Sequence, residues 1–148
     1  MAERTLTGKD GDLMIDGVSV ARINSWSATI AAPTEEDNQL GDSFTRRIFL
    51  QSYDISGSGS ASRRRENSQQ EAIIGNLIAV DSGNPDTPGV KTSPAYAEAT
   101  LRLYEDVDRV YEGPFLISNV GLNVTHGAKQ EFSFDFEQAG EVVYYTGA

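Results

Sequence analysis

The segment Gln130–Gln138 has the cleanest alternation of apolar and polar residues in the chain, without exception from Glu131 to Glu137. Three phenylalanines fall on one side of this segment and four polar residues on the other: Phe132, Phe134 and Phe136 against Glu131, Ser133, Asp135 and Glu137. Because successive side chains of a β-strand point to opposite faces, the pattern predicts a strand with one buried and one solvated face. The same two-residue period recurs along most of the chain, so we expect a mainly β protein.

Two longer segments are also predicted as strands: Val18–Ile30, where the alternation is imperfect, and Phe44–Ser56. They flank the loop Ala31–Ser43, which holds four acids and no base. Together they predict one extended β-hairpin over about residues 18–56 with its loop at 31–43. Each predicted strand has about thirteen residues, against a usual length of about 5–6. Strands this long leave edges that invite pairing with other chains. The run Gly57–Ser60 that follows is interpreted as a turn or strand end.

The apolar period changes between Glu66 and Val80, where four aliphatic residues recur at helical spacing: Ile73, Ile74, Leu77 and Ile78. With Ser68 and Glu71 in the pattern of a capping box, this predicts a helix over about residues 66–81. Further strands follow over about residues 96–145. We therefore predict one domain over residues 1–148, an antiparallel β-sandwich or part-open barrel with a long hairpin and one flanking α-helix.

Charge and composition exclude several classes of protein. The chain of 148 residues carries 22 acids and 12 bases, a net charge of −10, and it has no cysteine. A protein that grips nucleic acid needs a basic face, so this balance argues against one. Without cysteine there is no disulfide framework and no thiolate metal site. No stretch has the ~18 apolar residues of a membrane helix, so we expect no membrane contact.

Catalytic signatures are missing from the sequence. The single histidine, His126, precedes a glycine in a predicted turn, and no nucleophile or orienting group accompanies it in a recognisable spacing. The pairs Asp10/Asp12 and Asp106/Asp108 do not continue into a calcium-binding loop. We therefore expect a protein that is not an enzyme and that binds no cofactor and no metal.

The acids near the C-terminus are the more informative charges. Glu131, Asp135 and Glu137 share one face of the predicted strand, and residues 131–148 hold no base. An ordinary solvated face is one interpretation. The other is that several copies, each turning this face to a common axis, form a pore that DNA crosses without adhering. A third alternative assigns the pore to the hairpin strands, with Asp42 and Asp54 as its acids.

Five arginines are candidates for ion pairs with a neighbouring subunit: Arg46, Arg47, Arg63, Arg64 and Arg65. The alternative for the run at 63–65 is a solvated edge beside the predicted helix.

Four motifs, in this order along the chain, resemble the tail tube proteins (major tail proteins) of tailed bacteriophages: GDLMIDGV at 11–18, INSWSATIAAP at 23–33, LGDSFTRR at 40–47 and YDISGSGS at 53–60. The order of elements agrees over most of the chain, and the motifs are confined to its first sixty residues. The resemblance implies a β-sandwich with one flanking helix, hexameric rings that stack into a hollow tube, and inner strands that merge into one barrel with an acidic lumen.

The resemblance also implies partners and a location. The hairpin loop would contact the neighbouring ring through Thr34, Glu35, Glu36, Asp37, Asn38, Gln39, Leu40, Gly41 and Asp42. The lumen would hold the tape-measure protein and later conduct the genome, without sequence-specific binding of DNA. Sheath, baseplate and tail terminator proteins are further expected partners, and the location is the virion tail, assembled in the host cytoplasm. The family offers no catalytic residue.

Two other functions remain open. One is the tube protein of a secretion system, of the haemolysin-coregulated type, which stacks similar hexamers. The other is a monomeric β-sandwich binding module, for instance for carbohydrate, which would display aromatic side chains on an exposed sheet face.

Overall fold

The computed structural model describes residues 12–15, 18–19, 23–41, 43–63, 68–105 and 108–147. Over these residues the chain forms twelve strands and one helix. In chain order they are β1 (Asp12–Ile15), β2 (Val18–Ser19), β3 (Ile23–Ala31), β4 (Thr34–Glu36), β5 (Arg47–Phe49), β6 (Asp54–Ser62), α1 (Ser68–Leu77), β7 (Val80–Asp81), β8 (Lys91–Thr92), β9 (Ala99–Tyr104), β10 (Val110–Asn123), β11 (Glu131–Gln138) and β12 (Val143–Tyr145).

Eight of these strands form one antiparallel sheet. Its order is β2-β1-β9-β10-β11-β6-β3, and β12 pairs with the first part of β10. The sheet curls into a half-barrel, so that the Trp26 indole N–H on β3 donates to the Tyr104 carbonyl on β9 at 3.1 Å. The mainly β, half-open architecture with one helix confirms the predicted fold class. The pairs β4-β5 and β7-β8 stand apart from this sheet.

The core lies inside the half-barrel. Phe132, Phe134 and Phe136 on β11 are 0%, 2% and 0% exposed, while the residues between them are exposed, which confirms the alternation predicted from the sequence. Further aliphatic and aromatic residues complete this cluster: Ile55, Ile73, Leu101, Leu103, Phe115 and Ile117. Full burial of such a side chain stabilises the fold by about 1.5–3 kcal/mol, so the three phenylalanines anchor the sheet.

The run Gly57–Ser60 is the middle of β6, so its interpretation as a turn or strand end was wrong. Glycines face the core and serines face outward, because β6 pairs with the phenylalanine strand β11: Gly57 lies opposite Phe136 and Gly59 opposite Phe134. A Cβ added at Gly57 would lie 2.8 Å from the Phe136 ring, and one at Gly59 would lie 3.0 Å from the Phe134 ring. The rings thus occupy the space that larger side chains would need.

The hairpin differs from its predicted bounds. Residues Val18–Ser19 form a separate strand with β1, so the long first strand begins at Ile23 instead. The predicted second strand, Phe44–Ser56, is broken by Gln51, whose φ of 63° cannot continue a strand ladder. The strands that pair are β3 and β6.

The predicted loop at 31–43 also contains regular structure. Ala31 ends β3, and Thr34–Glu36 pairs with Arg47–Phe49 as a two-stranded ribbon. The Leu50 amide donates to the Pro33 carbonyl at 3.0 Å and closes the base of this ribbon.

The helix is shorter than the predicted 66–81, since it ends at Leu77 and Asp81 already belongs to β7. Ile73 is buried, but Ile78 is 59% exposed because it lies past the helix end. The Glu71 carboxylate accepts a hydrogen bond from Arg63 at 2.7 Å. In the part of the chain that the structure describes, no helix combines the length and apolar character needed to cross a membrane.

Candidate functional site

The outer side of four neighbouring strands forms a continuous polar surface, which we call the acidic face. It consists of β3, β6, β11 and the second half of β10, seen from the side opposite the core. The pairing register shows that its rows cross all four strands: Thr29 lies opposite Ser56, Ser56 opposite Glu137, and Glu137 opposite Leu116. The acidic face is therefore one continuous surface across the four strands, and a ligand or polymer can lie against all of them at once.

The predicted pore acids come together on the acidic face. Glu131, Asp135 and Glu137 alternate along β11, and Asp54 lies on the adjacent β6, two residues before the outward-facing Ser56. All four are exposed. The sequence left the C-terminal stripe and the hairpin as alternative sources of acids, and the pairing of β6 with β11 joins them. Asp42 lies outside the described residues.

Small polar side chains fill the space between the acids. Ser25 and Ser27 on β3 and Ser58 and Ser60 on β6 turn outward, and the Ser25 and Ser60 hydroxyls lie 3.1 Å apart. On β10, the Asn119 amide donates to the Asp135 carboxylate at 3.1 Å. Among the described residues of this face there is no lysine and no arginine. A surface that carries only negative charges repels polyanions and offers them few contacts.

The same four strands end in two unpaired edges, counting the described residues. β3 is the last strand of the sheet and pairs with β6 alone. β10 pairs with β9 only over Val110–Phe115, so Leu116–Asn123 has no neighbour on that side. Backbone N–H and C=O groups along both edges are available to another chain.

The ribbon of β4 and β5 with its connection, residues 32–50, projects from the end of β3 and β6; we call it the arm. Every described residue of the arm is exposed. Most of the candidate contact residues, Thr34–Gly41, lie on it, and Asn38 accepts from the Arg46 amide at 2.9 Å. The arm also exposes five large apolar residues, of which only Leu40 is among the contact residues predicted from the sequence: Leu40, Phe44, Ile48, Phe49 and Leu50. Such a surface is typical of an interaction site.

The candidate arginines occupy two places. Arg46 and Arg47 lie on the exposed arm, where Arg47 is 3.8 Å from Glu36. Arg63 is bound within its own chain, because its guanidinium donates to Gln70 at 3.1 Å and to Glu71 at 2.7 Å. Arg64 and Arg65 lie outside the described residues.

At the mouth of the half-barrel, Trp26 meets Tyr111 edge to face with 6.5 Å between ring centroids. Burial, with a hydrogen bond to Glu105, raises the pKa of Tyr111 to about 12. The pocket beside these rings has about 220 Å³. The pocket is lined by aromatic rings, aliphatic side chains and one carboxylate, that of Glu105.

His126 lies in the exposed turn between β10 and β11. Within the described ranges, no three histidine or acidic side chains come together as metal ligands.

No family model matches this chain, and no curated protein matches its sequence. Solved structures do match. A chain from the virion of a native gene transfer agent particle is 16% identical, with a TM-score of 0.68 over 95% of this chain and 98% of that one. A chain from the tail of an empty gene transfer agent particle, refined with C6 symmetry, is 13% identical, with a TM-score of 0.67 over 95% and 98%.

A third structure, of the sheath/tube terminator of an extracellular contractile injection system, contains a chain that is 12% identical. Its TM-score is 0.62 over 97% of this chain and 99% of that one. This protein therefore has the fold of chains from virus-like tails and contractile injection particles, which confirms the fold expected from its resemblance to tail tube proteins.

Proposed function

We propose that this protein is the structural subunit of a bacteriophage-type tail tube. Hexameric rings stack into a hollow tube, and the acidic face lines the lumen. One observation carries the proposal: the four strands that bear the acidic face also carry both unpaired edges. Pairing of these edges between copies would therefore extend the acidic face, which is the surface suited to a passing polyanion.

The strand directions favour a closed ring. The pairs β3-β6, β6-β11 and β11-β10 are all antiparallel, so β3 and β10 run in opposite directions. The β3 edge of one copy therefore meets the β10 edge of the next as a further antiparallel pair. Identical copies can repeat this contact around an axis until the ring closes. The C6 symmetry of the similar gene transfer agent tail supports six copies.

In this ring the acidic face turns to the axis, and its carboxylates repel the phosphates of DNA. The tape-measure protein would occupy the lumen before DNA passes. The arm reaches from the end of the sheet to the neighbouring ring, where its exposed apolar side chains become buried. This role is structural and needs no catalytic group, and its place is the tail of a virion.

A tube in a contractile injection or secretion system is the second candidate. The similarity to a chain from an extracellular contractile injection system supports it, and the ring, the unpaired edges and the arm would serve such a tube equally. The monomeric binding module has less support, because it would display aromatic side chains on an exposed sheet face, whereas the phenylalanine row of β11 is buried.

Electron microscopy of the purified protein at increasing concentration tests the proposal. We expect rings and stacked tubes, and the presence of monomers alone at high concentration would contradict it. Tubes of the variant Asp135→Lys/Glu137→Lys should then retain double-stranded DNA at low salt and release it as salt rises, whereas wild-type tubes should not. Asp86→Lys, in the exposed loop between β7 and β8, is the matched control and should behave as wild type.

A further inference from the structure

We propose that an apolar groove beside α1 receives Ile30 from β3 of a second copy. The groove has about 290 Å³ and lies between α1 and the segment 92–99; six of its lining residues are Ala72, Ile73, Asn76, Ala97, Ala99 and Ile117. The inference rests on the proposed ring, and it identifies the side-chain contact that accompanies the backbone pairing. The groove borders the unpaired part of β10, because Ile117 lies on that part and Ala99 begins β9 where the β9-β10 pairing stops.

The groove is formed before any partner arrives. The Asn76 side-chain amide donates to the Ala97 carbonyl at 2.8 Å, and its oxygen accepts from the Ala97 amide at 2.7 Å. The Asn76 carbonyl accepts from the Tyr96 amide at 3.0 Å. These bonds hold Tyr96 at a φ of 47°, a backbone conformation that a tyrosine seldom adopts without such support. The wall of the groove is therefore fixed to the C-terminal part of α1.

The complementary surface lies at the opposite edge of the sheet. Ala28 and Ile30 belong to the core-facing side of β3, since Ala28 pairs with Gly57 and Ile30 with the buried Ile55. Nevertheless Ala28 is exposed, and Ile30 is 57% exposed. The groove opens on the same side of the sheet, so both apolar surfaces lie behind the acidic face.

The pairing register matches the two surfaces. On the β9 side, Phe115 already pairs with Ala99, so the first residue of β10 open to a further strand is Leu116. β3 ends at Ala31, and it fills this edge without meeting β9 when Ala31 of the next copy lies opposite Leu116. Ile30 of that copy then lies beside Ile117, the core-facing residue of β10 that lines the groove. The nine residues of β3 also suit the length of the unpaired segment Leu116–Asn123.

Disulfide trapping tests the contact directly, because the chain has no cysteine of its own. Under oxidation, the double variant Ile30→Cys/Ile117→Cys should give a ladder of covalent multimers extending to the hexamer. Each single variant should give none, because the contact joins different residues of two copies. A disulfide within one copy would leave only monomer and would overturn the inference.

Charge insertion provides an independent measurement. Ile30→Glu should leave the monomer folded, as its exposure indicates, and should reduce ring formation at least tenfold. The control Val90→Glu, at an exposed valine outside the groove lining, should form rings as wild type does. If wild type forms rings while the double-cysteine variant gives no ladder and Ile30→Glu assembles normally, the groove contact is refuted and the tail tube proposal stands. If wild type forms no rings, the tail tube proposal itself fails.

Discussion

The variant Gly57→Ala adds a single Cβ atom where β3, β6 and β11 pack together, and so tests that packing. A Cβ at this position would lie 2.1 Å from the Ser27 carbonyl oxygen, 2.8 Å from the Ala28 Cα and 2.8 Å from the Phe136 ring. Two of the three neighbours are backbone atoms of β3, which cannot rotate away. The chain must therefore separate β3 from β6 or displace a phenylalanine that is 0% exposed.

The expected loss of stability follows from these contacts. Overpacking a well-packed core costs about 1–3 kcal/mol, and contacts this short with backbone place the cost at the upper end, about 3 kcal/mol. Replacing glycine also restricts the unfolded chain, which offsets about 0.4–1 kcal/mol. The net loss of unfolding free energy is thus about 2–2.5 kcal/mol. With a urea m-value of about 2 kcal/mol/M, the midpoint of unfolding should fall by about 1 M.

Urea unfolding of the monomer, followed by circular dichroism, measures this shift. Ser58→Ala is the matched control, because Ser58 adjoins Gly57 on β6 and faces outward. The control should stay within about 0.5 kcal/mol of wild type. If Gly57→Ala unfolds at the same urea concentration as wild type, the close approach of β3 to β6 is refuted, and with it the explanation of the glycine-serine alternation.

Three further predictions concern the barrel mouth and the arm. Trp26→Phe removes the hydrogen bond to the Tyr104 carbonyl and should lower the free energy of unfolding by about 1–2 kcal/mol, measured in urea. Because the pKa of Tyr111 is raised from 10.0 to about 12, its phenol ionises first in the unfolded chain; stability should fall as pH rises from 10 to 12, and Tyr111→Phe should remove that part of the fall. Replacing residues 34–49 with a short glycine linker should leave a folded protein, by circular dichroism, that forms no stacked tubes in electron microscopy.

The sequence predicted the parts of the fold that depend on local pattern. The alternation around Phe134 was sufficient to assign β11 and its buried side, because burial in a strand repeats every two residues. The Gly57–Ser60 run was misassigned because glycine usually marks a turn. Its placement in a strand depends on phenylalanine rings from a distant part of the chain.

The acidic face could not be predicted from local pattern either, because it depends on the pairing of distant segments. Asp54 and Asp135 belong to predicted strands far apart in sequence, and only the pairing of β6 with β11 joins them. The apolar side chains of the arm were visible in the sequence, but their exposure was not, because a ribbon without a core cannot be told from a core strand by its pattern alone. The groove beside α1 depends on where β9 begins, which no local signal marks.

Repulsion between the carboxylates of the acidic face opposes the assembly of the ring. A ring gathers the carboxylates of Asp54, Glu131, Asp135 and Glu137 from every copy around one axis, so their repulsion disfavours closure. Salt screens repulsion between exposed charges, with a screening length of about 10 Å at 0.1 M, and it leaves backbone pairing and apolar contacts largely intact. We therefore expect ring formation, measured by analytical ultracentrifugation, to increase between low and moderate salt.

Ion pairs between copies through Arg46 and Arg47 would have the opposite salt dependence, because the same screening weakens attraction. A ring held mainly by these arginines would dissociate as salt rises, and it would also be lost in the variant Arg46→Gln/Arg47→Gln. A ring held by strand edges and the groove beside α1 should survive that variant. Dissociation at higher salt would therefore show that exposed charges, and not the unpaired strands, join the copies.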